Sequence, residues 1–457
     1  MSVGISVAIV GAGPACFYCA EAVLERCEAV TVDIIERLPT PYGLVRAGVA
    51  PDHQSTKQVT RKFEQTLLAR LVHFYGNVEV GRDVGLDELC RLYDAVVLAT
   101  GAANDRSLGI PGEHLAGVYG ASSFVGWYNG HPDFRDLRPR LGRHAVVVGN
   151  GNVALDIARI LVRSRAEMIA SDIPDYALAA IEAAGVTDVW VLGRRGPRGS
   201  KFSPAELREV GQLAEAVAVV DPADLAAAGI GPCDAALDRS PTTRPKRGEE
   251  KLLALFRDFA GQFSAEGAIP GRRRLHFRFF AAPKAILGTD AVEGVRVERT
   301  RVDADRAVGT GQIDIVAADL VVSAIGYRAS PIPGVPFDAD RGLIPNDNGR
   351  VAPGLYAVGW AKRGPTGVIG SNKPDGVECA CQILADTRPS GKAGRAGLER
   401  VLHQHNARFV TFDDWRRIDE AEIASADKPA PRRKLTSLAD MLAVVGEAEA
   451  RRMAGHH

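Results

Sequence analysis

Long apolar runs are missing from this chain: no stretch of the sequence approaches the roughly 20 residues a helix needs to cross a bilayer. Net charge is missing as well. Lys+Arg and Asp+Glu both number 56 among 457 residues, which excludes a general binder of nucleic acid or anionic membrane while leaving room for local patches. Cysteine is sparse, with seven residues at spacings that fit neither a disulfide framework nor a zinc or iron–sulfur site. No basic region with an apolar core precedes the first strand-like run, so a cytoplasmic location is expected. What remains is ordinary globular composition, 46% hydrophobic and 25% charged, in a chain long enough for two or three domains.

Glycine, by contrast, is abundant at 48 residues, and two clusters of it carry information. The first is Val7-Ala8-Ile9-Val10-Gly11-Ala12-Gly13-Pro14-Ala15-Cys16, followed by a second apolar run ending in Glu36. The second is Val146-Val147-Val148-Gly149-Asn150-Gly151-Asn152-Val153-Ala154, followed by a run ending in Gly193-Arg194-Arg195. Each reads as a strand entering a glycine turn that opens a helix, where unpaired N–H groups receive a pyrophosphate. An acid at the end of the next strand accepts hydrogen bonds from ribose hydroxyls and repels a 2′-phosphate. An arginine pair does the reverse through charge-assisted bonds. The chain therefore reads as holding two dinucleotides, one without a ribose phosphate and one with it: FAD and NADP. One such string alone is weak in a glycine-rich chain; two in the same strand–turn–helix setting are specific.

The predicted architecture is α/β, with two dinucleotide-binding (Rossmann-like) domains, the NADP domain (105–326) inserted into a discontinuous FAD domain (1–104 and 327–457). Strands are expected at 5–10, 30–35 and 95–101, and helices at 14–26 and 56–71. The second crossover, 152–184, is long enough to hold a helical insertion. Alternating runs at 276–280 and 295–297 read as strands of the inserted domain. The run 320–327 reads as the return crossing and 355–360 as a further strand. The polar segment 241–251 reads as an exposed loop, and Pro429 to Lys434 as an exposed turn before a final helix. Cys16 and Cys19 resemble a redox dithiol, yet their place in the first helix reads as packing, as it does for Cys379 and Cys381.

Longer strings add a family resemblance. They are the segment 39–53, from Pro39-Thr40-Pro41-Tyr42-Gly43 to Ala50-Pro51-Asp52-His53; Gly149 through Asp156; Gly193-Arg194-Arg195-Gly196-Pro197; and Gly359-Trp360-Ala361-Lys362-Arg363 through Gly370. In this order they resemble the adrenodoxin-reductase-like ferredoxin–NADP reductases of mitochondria and actinobacteria, over about residues 5–440. Cys16 stands where that family usually has Gly or Ala. The resemblance implies hydride transfer from NADPH to FAD, then single electrons to a ferredoxin-type iron–sulfur protein.

It also implies site residues. For FAD these are Gly11, Gly13, Ala15, Glu36, Leu44, Val84, Trp360, Gly367, Val368 and Ile369. For NADP they are Arg106, Asn152, Val153, Ala154, Leu155, Arg194, Arg195, Glu206 and Gly367. His53, Asp156 and Glu209 are the polar groups expected beside the flavin. Each also has a plainer reading: a solvated loop histidine, an acid favoured by the helix dipole, an exposed helix acid. The implied partner is an acidic ferredoxin-type protein, with a cytochrome P450 system downstream and the enzyme itself a monomer. Basic clusters that would dock it are Arg244, Lys246 and Arg247 in one loop; Arg272, Arg273 and Arg274 in another; and Lys201 with Arg208 near the NADP-side cleft. The competing functions are a flavin disulfide reductase, which needs a Cys pair at the flavin ring, an electron-feeding subunit, and a nucleotide-sensing module without turnover.

Overall fold

The computed structural model describes residues 4–231, 247–266 and 271–454. Two six-stranded sheets organise it. The first runs Arg350–Ala352, Leu355–Ala357, Ala95–Leu98, Ile5–Val10, Val30–Ile35, Val72–Tyr75; only its edge pair, Arg350–Ala352 with Leu355–Ala357, is antiparallel. The second runs Val118–Gly120, Leu320–Ser323, His144–Val148, Asp188–Leu192, Arg273–Arg278, Ala216–Val220, parallel throughout. Parallel strands are covered on both faces, which is why residues 7–10 and 145–148 are unbroken apolar runs, buried along their length.

Two apolar clusters flank each sheet, one built on Phe17, Ile34 and Tyr356 and its counterpart across the sheet on Tyr75, Tyr93 and Leu98. In the second sheet the larger cluster gathers Trp127, Ile157, Phe256 and Phe277. The smaller lies under a three-stranded antiparallel sheet, Ala281–Leu287, Gly294–Asp303 and Arg306–Ala317. The chain passes between the two large sheets twice, and the passages pair with each other: Tyr327–Arg328 lies antiparallel to Asn104–Asp105.

Several expectations need correcting. The helix expected over 56–71 is two pieces, Gln54–Lys57 and Thr60–Leu67. The polar segment 241–251 is a helix from Arg247 onward, Arg247–Glu266, whose apolar face buries Leu252, Leu253 and Phe256; its earlier residues lie outside the described ones. Arg273 and Arg274 open a strand rather than sit in a loop. The run 320–327 is not one crossing strand: Leu320–Ser323 stays in the second sheet, and only Tyr327–Arg328 joins the ribbon. Of residues 429–434, Pro429 and Arg433 are exposed as expected, but Lys434 at the end is buried against Asp172 and Asn129. The insertion at 152–184 is helical as expected, in three pieces: Asn152–Val162, Arg165–Met168 and Asp175–Ala184.

Candidate functional site at the junction of the two sheets

The two glycine turns occupy equivalent places. Gly11, at φ +101, leads off Ile5–Val10, and a Cβ there would fall 2.6 Å from the Ala99 carbonyl oxygen beyond the neighbouring strand. Gly149, at φ +151, leads off His144–Val148, and a Cβ there would fall 2.3 Å from the Ala324 oxygen. In both, the glycine lets the turn cross where the strand order reverses, the place at which open α/β sheets bind ligands.

At the first turn, Gly13 ends the loop with open space: a Cβ there would meet nothing within 4 Å. Helix Pro14–Leu24 begins at once, and Pro14 brings no N–H where helix donors are unpaired anyway. Glu36 closes the second strand and turns its carboxylate onto the loop, accepting from the N–H of Ala12 at 2.8 Å and of Leu38 at 3.1 Å. Burial pushes its carboxyl upward, while those two N–H groups and the Arg37 charge pull it back. Ala15 meets Gly359, whose Cβ would lie 2.5 Å from the Ala15 Cβ. Cys16, buried beneath, has its thiol pushed well up by burial and the Glu36 charge, which makes it a packing residue. Cys19 and Cys379 are buried in the same cluster, so neither is presented as an open dithiol.

Leu44 opens a short helix, Leu44–Ala47, and is 44% exposed beside this turn; Val368 is 68% exposed on the opposite segment. Trp360 donates its indole N–H to the Thr366 carbonyl at 3.1 Å and stacks on Tyr327, ring centroids 6.1 Å apart. Gly367 sits at φ +83, where a Cβ would strike the Ser371 hydroxyl at 2.5 Å. Ile369 starts a 3-10 turn whose carbonyl is held by Asn372 at 3.0 Å. Val84 stands apart from these residues: its side chain is buried with Val10, Ile35 and Tyr75.

On the second turn, helix Asn152–Val162 points its N-terminus at the open side. The Asn152 side chain accepts from the Ser203 N–H at 2.8 Å, tying the turn to helix Pro204–Val210. Ala154 and Leu155 bury their side chains in the core, and the Leu155 N–H is already taken by the Gly151 carbonyl at 3.2 Å. The N–H groups still open at this terminus precede Leu155. Arg194 is exposed and Arg195 half-buried, and among the described residues neither side chain has a hydrogen bond or ion pair. Arg106 is exposed and reaches the Tyr327 and Arg341 carbonyls only at 3.4 Å. Glu206 has its Oε2 buried without a partner, and burial pushes its carboxyl up.

Between the two turns lies a charged cluster. His53 Nε2 is 2.8 Å from Glu209 Oε2, and its Nδ1 is 3.8 Å from Asp156 Oδ1. Burial, with Glu206 and Glu209 nearby, pushes Asp156 well above the usual carboxylate range. Arg159, fully buried, meets Asp156 at 2.5 Å and contacts Asp52; Arg163 reaches the same Asp52 oxygen at 2.6 Å. Burial and Arg163 lower Arg159 to about 10. The three groups expected beside the flavin are thus brought together, and the solvated reading fails for His53, which is largely buried, as is Asp156; Glu209 remains 41% exposed.

The sequence reading missed Asp52 and Arg159. The signal for Arg159 was a lone arginine in an apolar helix, three residues after Asp156. It also missed Lys57, Asp172 and Lys434: Lys57 pairs with Asp172 at 2.7 Å and Lys434 with the same carboxylate at 3.2 Å. Burial opposes its charge, yet the two ammonium groups hold Asp172 down to about 2. Their separation along the chain hid this triad.

The groups present fit two dinucleotides: one helix terminus beside a carboxylate, and a second beside two guanidinium groups that are unpartnered among the described residues. Fold and site together define a two-dinucleotide α/β oxidoreductase. The model of the family described as "Pyridine nucleotide-disulphide oxidoreductase" matches residues 5–176. The chain is 40% identical to the mitochondrial NADPH:adrenodoxin oxidoreductase of Arabidopsis thaliana, over 96% of this chain and 95% of that protein. It is 41% identical to the NADPH-ferredoxin reductase FprA of Mycobacterium leprae, over 96% and 98%. The solved structure of Mycobacterium tuberculosis FprA in complex with NADPH superposes with a TM-score of 0.90, at 39% identity over 97% and 99%. The chain belongs to the NADPH:adrenodoxin and NADPH-ferredoxin reductase family.

Proposed function

We propose that this chain takes a hydride from NADPH onto FAD and passes electrons one at a time to a ferredoxin-type iron–sulfur protein. The observation that carries the reading is the pair of glycine turns with opposite charge, Glu36 at one and Arg194–Arg195 at the other, opening toward one junction. Bound FAD supplies the conversion of a two-electron donor into one-electron deliveries. The residues bind, orient and exclude water.

Gly11, Gly13 and Ala15 make room for the FAD pyrophosphate, and Glu36 receives the ribose hydroxyls. Leu44 and Trp360 wall the flavin, and the backbone of Gly367, Val368 and Ile369 borders it; Val84 acts through the packing behind the adenosine end. Asn152, Val153, Ala154 and Leu155 form the second helix terminus facing NADP, Arg194 and Arg195 grip its 2′-phosphate, and Arg106 and Glu206 border it. Gly367, without a side chain, leaves the nicotinamide space. His53, with Asp156 and Glu209 around it, holds a proton beside the reacting rings. We place the domain boundaries at 104/105 and 326/327; the ribbon of Asn104–Asp105 with Tyr327–Arg328 supports that placement.

The acceptor is acidic and docks by charge. Of the basic groups, Arg272 and Arg273 are engaged with backbone carbonyls and Arg274 with Asp188, which leaves them poorly suited to docking. Arg244 and Lys246 lie outside the described residues, as does the Arg247 side chain. Lys201 and Arg208 are exposed on the NADP side, and Lys251 lines a pocket with Arg208. The same reading includes a monomer in the cytoplasm, with a cytochrome P450 system downstream; among the described residues no helix is long and apolar enough to cross a membrane. The test is NADPH-driven reduction of a purified ferredoxin. A yellow protein that reduces it supports the reading; a protein that cannot be loaded with FAD, or that never reduces an iron–sulfur acceptor, overturns it.

A further inference from the structure

Arg159 has no role in the reading above, and its surroundings are unusual. It is fully buried on helix Asn152–Val162, yet two of its contacts run to carboxylates on different parts of the fold. One is Asp156, a turn earlier on the same helix and 3.8 Å from His53. The other is Asp52, the residue before His53, on the loop that the first sheet sends across the junction. That loop is fixed again by the Pro51 carbonyl, which accepts from the Asp172 N–H at 3.1 Å, and by Lys57 on Asp172. The charged groups around Arg159 are Asp156 and Arg163 on its own helix, Asp52 on the loop, and Glu206 and Glu209 on helix Pro204–Val210.

A buried guanidinium costs much to desolvate and is retained where carboxylates balance its charge. Here the guanidinium meets Asp156, which lies 3.8 Å from His53, and contacts Asp52, which precedes His53 in the chain. The N-terminus of the same helix faces the NADP pyrophosphate, so this one side chain connects the nucleotide turn to the histidine loop. We propose that Arg159 is a positioning residue for hydride transfer: it holds Asp52 and Asp156 so that His53 keeps its place between the two dinucleotides. This rests on the placement of His53 proposed above. Small displacements of a reacting group are expensive, about 100-fold for a shift of about 1 Å.

The experiment is stopped-flow reduction of the FAD-loaded enzyme by NADPH across pH, with Arg159→Met, Arg159→Lys, His53→Gln and the doubles of His53→Gln with each Arg159 variant. Arg159→Met should retain FAD and bind NADP+ within about twofold, because the glycine turn and the arginine pair are untouched. Its limiting reduction rate should fall by about tenfold or more, and the pH dependence attributable to His53 should flatten. Arg159→Lys should recover part of the rate, since an ammonium restores the charge but not the two-pronged geometry. Adding His53→Gln to either should cost little more, because Arg159 acts through His53.

If the Met variant does not fold, the Lys variant alone and its double with His53→Gln decide the matter by the same comparison. A folded variant with unchanged rate and pH profile overturns the proposal, and so do losses that multiply with His53→Gln. If His53→Gln by itself changes neither rate nor pH profile, the placement of His53 fails, and this inference falls with it.

Discussion

Replacing Arg194 and Arg195 together by alanine tests the choice of coenzyme most directly. Neither guanidinium has a hydrogen bond or ion pair among the described residues, so their removal breaks no such bond within the described fold. A charge-assisted hydrogen bond contributes about 1.5–3 kcal/mol, but Arg194 is exposed and its share is screened toward about 1 kcal/mol. Arg195 is half-buried and keeps about 2 kcal/mol. At about 1.4 kcal/mol per factor of ten, kcat/KM for NADPH should fall about 100-fold. NADH has no 2′-phosphate, so its kcat/KM should stay within about twofold, and the preference for NADPH should collapse. Steady-state dye reduction with each coenzyme, at fixed ionic strength and with FAD content confirmed by absorbance, gives both numbers. An equal loss for the two coenzymes would place the damage in folding or in the pyrophosphate site. No loss for either would show that the phosphate lies elsewhere. Either result refutes the assignment.

Gly359→Ala should release FAD, since its Cβ would lie 2.5 Å from the Ala15 Cβ at φ +69; a variant that stays fully yellow through gel filtration would count against the close approach. Asp172→Asn leaves Lys57 and Lys434 buried without a counter-charge and should cost about 3–5 kcal/mol at pH 7 in urea unfolding. Because the folded Asp172 titrates near about 2 and the unfolded one near about 3.9, its contribution is complete above about pH 5 and fades as the pH falls toward 2. The gap between Asp172→Asn and the unmodified protein should therefore narrow over that window; a constant gap would deny the ion triad. Ferredoxin-dependent turnover should drop steeply as the Debye length shrinks from about 10 Å at 0.1 M salt to about 3 Å at 1 M, with uncharged dye reduction less affected. Equal insensitivity of both assays would remove charge-steered docking.

The central strands of both sheets and both nucleotide turns were legible in the sequence because their causes are local. An apolar run, a glycine that alone tolerates the turn, and a helix start follow one another within about a dozen residues, and the next strand ends on a side chain whose charge selects the ribose. Glu36 and the Arg194–Arg195 pair are where that reading put them, at strand ends beside open helix termini. Helix Arg247–Glu266 was missed because polar and charged residues lead into it, and its apolar stripe acquires meaning only against Phe202 and Phe277. Lys434 read as surface because a lysine beside prolines usually is. It is buried because Asp172, more than 250 residues earlier, supplies its charge.

The junction itself was decided only by the tertiary structure. Asp52, His53, Lys57, Asp156, Arg159, Asp172 and Glu209 come from four separate segments and share no periodicity. Ion pairs are set by distances through space, and nothing in the spacing of residues along a chain encodes which carboxylate a buried arginine will meet. The sequence determined that the chain binds two dinucleotides and of which kind. The packing of one sheet's loop against the other's helix determined which side chains gather at the junction.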